Sequence, residues 1–320
     1  MKTTSMTTYR TLLQNLTRGS TRLNDWRIKT ATGKRLNKPS DDPTAIRPVL
    51  NARTQISASE RYLRTMDTVQ DRLDNAEGYL YNTENILVRV KELAISAGDG
   101  AYSPEDLTLL ADELALRREE LLDAANANID GKFIFAGYQD NVQPFVLNDN
   151  YDPAAYNADD PSSWSVHYKG DPHAIQMEIG PGALVDSSVP GNELFLGLKD
   201  TNGDGTLEQT GTDLFGVLDR MEQALRANDP DTVIDELGTL DEGADQVRRL
   251  HGSLGIVGQR LDTARDHMET LNIDMQTILS RYEDIDLVEA VSNMTQEEMA
   301  FDAALKVSAR VQELNILKYF

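Results

Sequence analysis

The sequence predicts a mainly α-helical protein with a β-rich insert. Long antiparallel coiled-coil helices come from both chain halves, and the terminal helices pair on assembly. Two heptad seams and one change of texture carry this prediction. Met66, Leu73, Leu80, Leu87 and Ala94 recur every seven residues, with Val69, Ala76, Thr83, Val90 and Ala97 three further on. Val247, Leu254, Leu261, Met268, Met275 and Tyr282 repeat the same period far downstream. Such spacing keeps one apolar face turned towards a partner helix. Between the seams, residues 133–216 hold 10 of the 21 glycines and 6 of the 11 prolines, which is a loop and strand texture.

In chain order, the first seam ends at Gly98-Asp99-Gly100, and a second helix starts at Ser103-Pro104-Glu105-Asp106. Serine caps the first free N–H groups, proline suits the first turn, and the acids favour the positive helix end. Its stripe is Leu107, Leu110, Leu114, Leu121 and Ala124, and it is predicted to end near Gly131. Phe133-Ile134-Phe135 reads as a strand. Trp164, Val166 and Tyr168, then Ile175, Met177 and Ile179, alternate with polar residues around Gly170-Asp171-Pro172, which predicts a β-hairpin. A short helix spans about Asp213 to Ala227 and breaks at Asp229-Pro230-Asp231. No proline occurs from 231 to 320, so the C-terminal third can be nearly all helix.

Both chain ends carry apolar stripes at helical spacing. Met6, Tyr9, Leu13, Leu16, Ser20 and Leu23 form one; Ala300, Ala304, Val307, Val311 and Leu314 form the other. Leu13, Leu16, Leu23, Val307, Val311 and Leu314 are therefore the candidate assembly interface, because such stripes must be covered. The ends are also oppositely charged. Residues 1–40 hold nine Lys/Arg against Asp25 alone, and residues 285–320 hold six acids against three bases. Pairing the N-terminal bases with Glu289, Glu297, Glu298 or Asp302 would fix register. The domain division that follows is 1–40 with 285–320 as a terminal assembly domain, 41–132 with 214–284 as a helical rod domain, and 133–213 as a β-rich tip.

Composition narrows the chemistry. A net charge of −22 argues against nucleic acid as a partner. With no cysteine, thiolate catalysis, disulfides and Cys-based metal sites are excluded. No run approaches the roughly 18 apolar residues of a membrane span, and no cleavable signal peptide is visible. Phosphate loops, nucleophile elbows and zinc-hydrolase helices are absent, and the many acid pairs read as solvated surface, so no enzyme is expected. One motif resembles a calcium loop: Asp200, Asn202 and Asp204 occupy positions 1, 3 and 5, with Gly205 at 6. Its position 12 is Gly211 rather than an acid, and the competing reading is a polar turn. The four histidines lack a third ligand. His251 reads as packed between helices, His267 as solvent-facing, and His167 and His173 as flanking the hairpin turn.

Thr32-Gly33-Lys34-Arg35-Leu36-Asn37 followed by Pro39-Ser40-Asp41-Asp42-Pro43 resembles the N-terminal signature of the bacterial flagellin family. Gly33, Arg35, Asn37, Ser40, Asp41 and Asp42 carry that signature. Asp130-Gly131-Lys132-Phe133-Ile134-Phe135-Ala136-Gly137 and the tail from Asp284 to Val311 are similar to the same family. Within it, Pro39 to Pro43 and the insert resemble the hook-associated junction proteins more than filament flagellin.

The resemblance implies a structural subunit of the extracellular flagellum, exported by the flagellar type III apparatus without a cleaved signal peptide. It implies self-association in a ring, with hook-side hook-associated protein 1 and flagellin as neighbours and a cytoplasmic export chaperone. A filament flagellin subunit is the alternative within the family. A calcium- or ligand-binding adhesive module in the insert is the alternative of another class.

Overall fold

The computed structural model describes residues 2–98, 102–158, 160–202 and 205–316, with side chains at 7 and from 9 to 311 within those ranges. The helices are α1 (Lys2–Thr32), α2 (Pro43–Gly98), α3 (Pro104–Ala125), α4 (Gly191–Leu196), α5 (Leu214–Arg226), α6 (Pro230–Glu283) and α7 (Leu287–Ile316). The strands are β1 (Asn128–Ile129), β2 (Lys132–Phe133), β3 (Phe145–Leu147), β4 (Val166–Tyr168), β5 (Gln176–Gly180), β6 (Ala183–Asp186), β7 (Leu198–Lys199) and β8 (Glu208–Gln209). Two compact units result: Met1–Glu60 with Glu269–Phe320, and Arg61–Met268.

The central unit is built on the predicted seams. All ten seam residues of α2 from Met66 to Ala97 are buried. On α6, Val233, Leu240, Val247, Leu254, Leu261 and Met268 are buried at steps of seven. Lys91 pairs with Asp241, His251 with Glu84, and Arg265 with Asp67, so α2 and α6 run antiparallel. The α3 start closes the expected reciprocal cap: Asp106 N–H donates to Ser103 Oγ, and Ser103 N–H donates to the Asp106 carboxylate. The helix ends at Ala125, short of Gly131. Asp130 and Gly131 both adopt positive φ, 53° and 80°, and make the two-residue turn between β1 and β2.

Among the described residues the strands from β1 to β8 form four two-stranded antiparallel sheets, and the predicted hairpin is not one of them. β4 pairs with β3, Phe145 opposite Tyr168, and β5 pairs with β6. The reason lies after β4. Lys169 N–H donates to the Pro144 carbonyl (2.7 Å) and Asp171 N–H to the Ala136 carbonyl (2.9 Å). These bonds lead the chain off the β4 edge before Pro172, which has no N–H with which to close a turn. β5 turns instead at Pro181-Gly182, where Gly182 has φ +71°. The insert core is aromatic. Phe135, Phe145, Phe195, Phe215 and Trp164 are fully buried, and Phe145 meets Phe195 edge-on at 5.2 Å between centroids. Trp164 precedes β4 and donates its indole N–H to the Asn157 carbonyl (3.0 Å).

The other unit joins the chain ends. α1 packs antiparallel on α7: Lys34 bridges Asp284, Arg22 pairs with Glu297, and Gly19 faces Phe301. The terminal helices, expected to pair on assembly, are thus already paired within one chain.

Candidate functional site

The seam between α1 and α7 is a heptad on each side. On α1 it runs through Leu12, Leu16, Gly19, Leu23 and Trp26; Gly19 and Leu23 are buried and the rest half-buried. On α7 it runs through Ala290, Met294, Glu297, Phe301, Ala304, Ser308 and Val311, with Ala290 and Ser308 buried. Gly19 makes room for the aromatic ring: a Cβ there would lie 3.3 Å from Phe301 Cδ2. Arg22 pairs with the seam residue Glu297 and Arg27 with Glu298 beside it, each at 3.4 Å, as anticipated. Both pairs are solvated and set register more than stability.

Leu16, Leu23 and Val311 lie in this seam, whereas Leu13 (45 % exposed) and Val307 (58 %) lie outside it. The Leu314 side chain lies outside the described ones. The predicted stripes share Leu16, Leu23, Ala304 and Val311 with the seam and miss Gly19, Glu297 and Ser308. These residues are small or polar, and no apolar pattern selects them.

The consequence is an uncovered apolar surface. Leu287, Val288, Val291, Met299, Leu305 and Val307 of α7 are exposed, Val288 by 82 %, and Tyr9 and Leu13 of α1 join them. A helix apolar on several sides, with one side covered, is the pattern of a helix that is buried in an assembly.

At one end of the seam, the signature residues build a knuckle. α1 stops at Gly33, whose φ of +67° is costly for any side chain. The Gly33 carbonyl accepts from Ile285 N–H (3.1 Å), and Arg35 N–H donates to the Glu283 carbonyl (2.6 Å). The Arg35 guanidinium donates to the Tyr282 carbonyl (3.0 Å). Asn37 donates its amide to the Lys34 carbonyl (2.8 Å). One Asp41 oxygen accepts from the N–H groups of Asn37 (3.0 Å) and Lys38 (2.9 Å). Those bonds, Lys38 first, hold the Asp41 carboxyl below its usual range. Asp42 takes the Thr44 hydroxyl (2.6 Å) and the Thr44 and Ala45 N–H groups, which caps the start of α2. Ser40 is exposed. Beneath the loop, Leu36, Ala45 and Val49 form a small core with Leu279 and Tyr282.

Glu283, which with Asp284 reads in the sequence as one of the solvated acid pairs, is instead buried at the centre of the knuckle. It is 2 % exposed, and one of its oxygens takes both Lys34 Nζ (2.5 Å) and Arg53 Nη2 (2.6 Å). It is the last residue of α6, and only the folded return of α7 brings it to the turn after α1.

The remaining candidates stand apart. Asp200 and Asn202 lie between β7 and β8, where Asp200 accepts from Gly205 N–H (2.9 Å) and Asn202 donates to Glu208 (2.8 Å); Asp204 lies outside the described residues. Among the described residues no group of three or more His, Asp or Glu is arranged to hold a metal ion. His167 faces Val146 across β3 and β4, and His173 contacts Asp171 at 2.9 Å. His251 lies between Glu84 (3.1 Å) and Glu77 (3.5 Å), linking α6 to α2. No described helix is long and apolar enough to cross a membrane.

Two chain ends locked by a knuckle, with a β-rich insert between the central helices, define a helical structural protein. The family models of the bacterial flagellin N-terminal helical region and C-terminal helical region match residues 4–140 and 237–320, more than two thirds of the chain together. The chain belongs to the bacterial flagellin family. No curated protein matches it in a sequence comparison.

Solved structures share the fold. FlgL from Xanthomonas campestris is 19 % identical, with a TM-score of 0.57 over 70 % of this chain and 98 % of that one. Flagellar hook associated protein-3 from Legionella pneumophila is 17 % identical, with 0.60 over 73 % and 98 %. The flagellar junction protein FlgL from Legionella pneumophila is 19 % identical, with 0.56 over 75 % and 100 %.

Proposed function

We propose that this flagellin-family chain is the subunit that joins the flagellar hook to its filament. The observation that carries this reading is the uncovered apolar face of α7 beside the closed α1–α7 seam. That face is covered when copies associate in a ring and stack on their neighbours. The fold shared with hook-associated structures favours the junction over the filament. In this reading hook-side hook-associated protein 1 lies below the ring and flagellin above it. An export chaperone shields the apolar termini in the cytoplasm, and the chain leaves uncleaved through the type III apparatus to reach the outside of the cell. The chain has a structural rather than an enzymatic role.

Immunogold electron microscopy of intact flagella tests the proposal. A band confined to the hook–filament boundary is expected. Label along the whole filament would instead make the chain a filament subunit.

A further inference from the structure

One side chain of α6 faces two acids of α2 at once. His251 is 28 % exposed and sets both ring nitrogens against carboxylates. Its Nδ1 lies 3.1 Å from Glu84 Oε1, and its Nε2 lies 3.5 Å from Glu77 Oε1. An ionised carboxylate only accepts hydrogen bonds, and a neutral imidazole has a single N–H to give. Whichever nitrogen carries that proton, the other turns a lone pair towards a carboxylate oxygen. Only the imidazolium donates at both ends, so the preference for the charged ring follows from the count of donors and acceptors.

The surroundings act in the same direction. The groove that holds the ring is lined by α2 and α6 alone, and Asp74 is a further carboxylate on its α2 wall. Asp74 accepts from the Gln70 amide (2.6 Å). Arg248, one turn back on α6, opposes a second positive charge beside it but is itself paired with Asp245. Burial pulls the ring's pKa down, yet the hydrogen bonds with Glu84 and Glu77 and the charges of both acids carry it above its usual value of 6.5. The α6 wall of the groove continues through Gly252, Gly255 and Gly258. A Cβ added at any of the three would meet nothing within 4 Å, so no close packing requires glycine there. What the glycines do is weaken the helix interior just beyond His251.

We propose that His251 is a proton-dependent tie between the two central helices. Protonated, it bridges Glu77 and Glu84 and pins the glycine-weakened turns of α6 to α2. Neutral, it keeps one of the two contacts and gives up the other, and those turns open more readily.

The sign follows from linkage. The folded pKa lies above the unfolded one, so the stabilisation is complete below about pH 6.5. It is lost as pH rises through the higher folded value, and above that it contributes no further slope.

Histidine NMR of the full chain tests the tie, with His251→Gln identifying the resonance among the four histidines. The His251 midpoint is expected above 6.5 in the wild type and lower in both Glu84→Gln and Glu77→Gln. A wild-type midpoint at or below 6.5, or no change in either variant, would overturn the proposal. Amide hydrogen exchange at Gly252, Gly255 and Gly258, corrected for its intrinsic pH dependence, tests the pinning. Opening is expected to increase by up to about tenfold per pH unit through the titration in the wild type, and to be independent of pH in His251→Gln. Equal pH profiles in the two chains would sink the idea. Should a variant fail to fold, the wild-type midpoint and its coincidence with the rise in exchange decide the matter.

Discussion

Changing Glu283 to glutamine preserves the shape of the side chain and removes its charge. In the knuckle that leaves Lys34 and Arg53 without their shared carboxylate oxygen. Loss of one partner from a fully buried pair costs about 3–5 kcal/mol. Here both cations are about half exposed, so water takes over part of the role and the loss falls to roughly 1–3 kcal/mol. Denaturant unfolding of Glu283→Gln measures it, and a change under about 0.5 kcal/mol would mean that the pair contributes only geometry. This residue also shows what a sequence can convey. Gly33, Asn37, Asp41 and Asp42 were legible as a motif because a turn and a cap need those residue types within a few positions. Glu283 was not, because its partners lie 230 and more residues away and acids are abundant in a chain of net charge −22.

At the scale of elements, α7 makes the sharpest separation between folding and assembly. Val288 and Met299 are exposed, so Val288→Ser with Met299→Ser should change the stability of the isolated chain by no more than about 0.5 kcal/mol. The same double variant is expected to abolish incorporation into flagella, read by blotting purified flagella. Wild-type incorporation would show that this face is free in the assembly. The long helices of the central unit were legible almost residue by residue, because large apolar groups repeated every seven residues are the spacing of a helix seam and of little else. Elsewhere the pattern conveys less. The α1–α7 seam is only partly visible to a search for apolar residues, which selects Leu16, Leu23, Ala304 and Val311 but not Gly19 or Ser308. β4 and β5 were found as strands but joined wrongly, because pairing was decided by Lys169 and Asp171 bonding to distant carbonyls rather than by the turn between them.

For the whole molecule, the division into two compact units implies that the central one carries its own stability. It contains both the α2–α6 seam and the aromatic core of the insert. A chain trimmed of residues 1–40 and 285–320 is expected to remain helical, monomeric and cooperatively folded, read by circular dichroism and sedimentation. It is also expected to be absent from flagella. Loss of the cooperative transition would show that the ends support the centre. The position of the termini was readable from their opposite charge, nine bases facing a net-acidic tail. Their closure within one chain was not readable, since the same stripes would serve equally well between copies.

That closure has a consequence in time. Gly19 faces Phe301, so almost the entire chain separates the two sides of the seam. At about 5–20 residues per second of synthesis, α1 waits roughly 15–60 s before α7 exists. During that interval its apolar side has no native cover. A factor that binds the N-terminal helix must act while the chain is growing, and one that recognises the finished seam can act only after the last helix has been made.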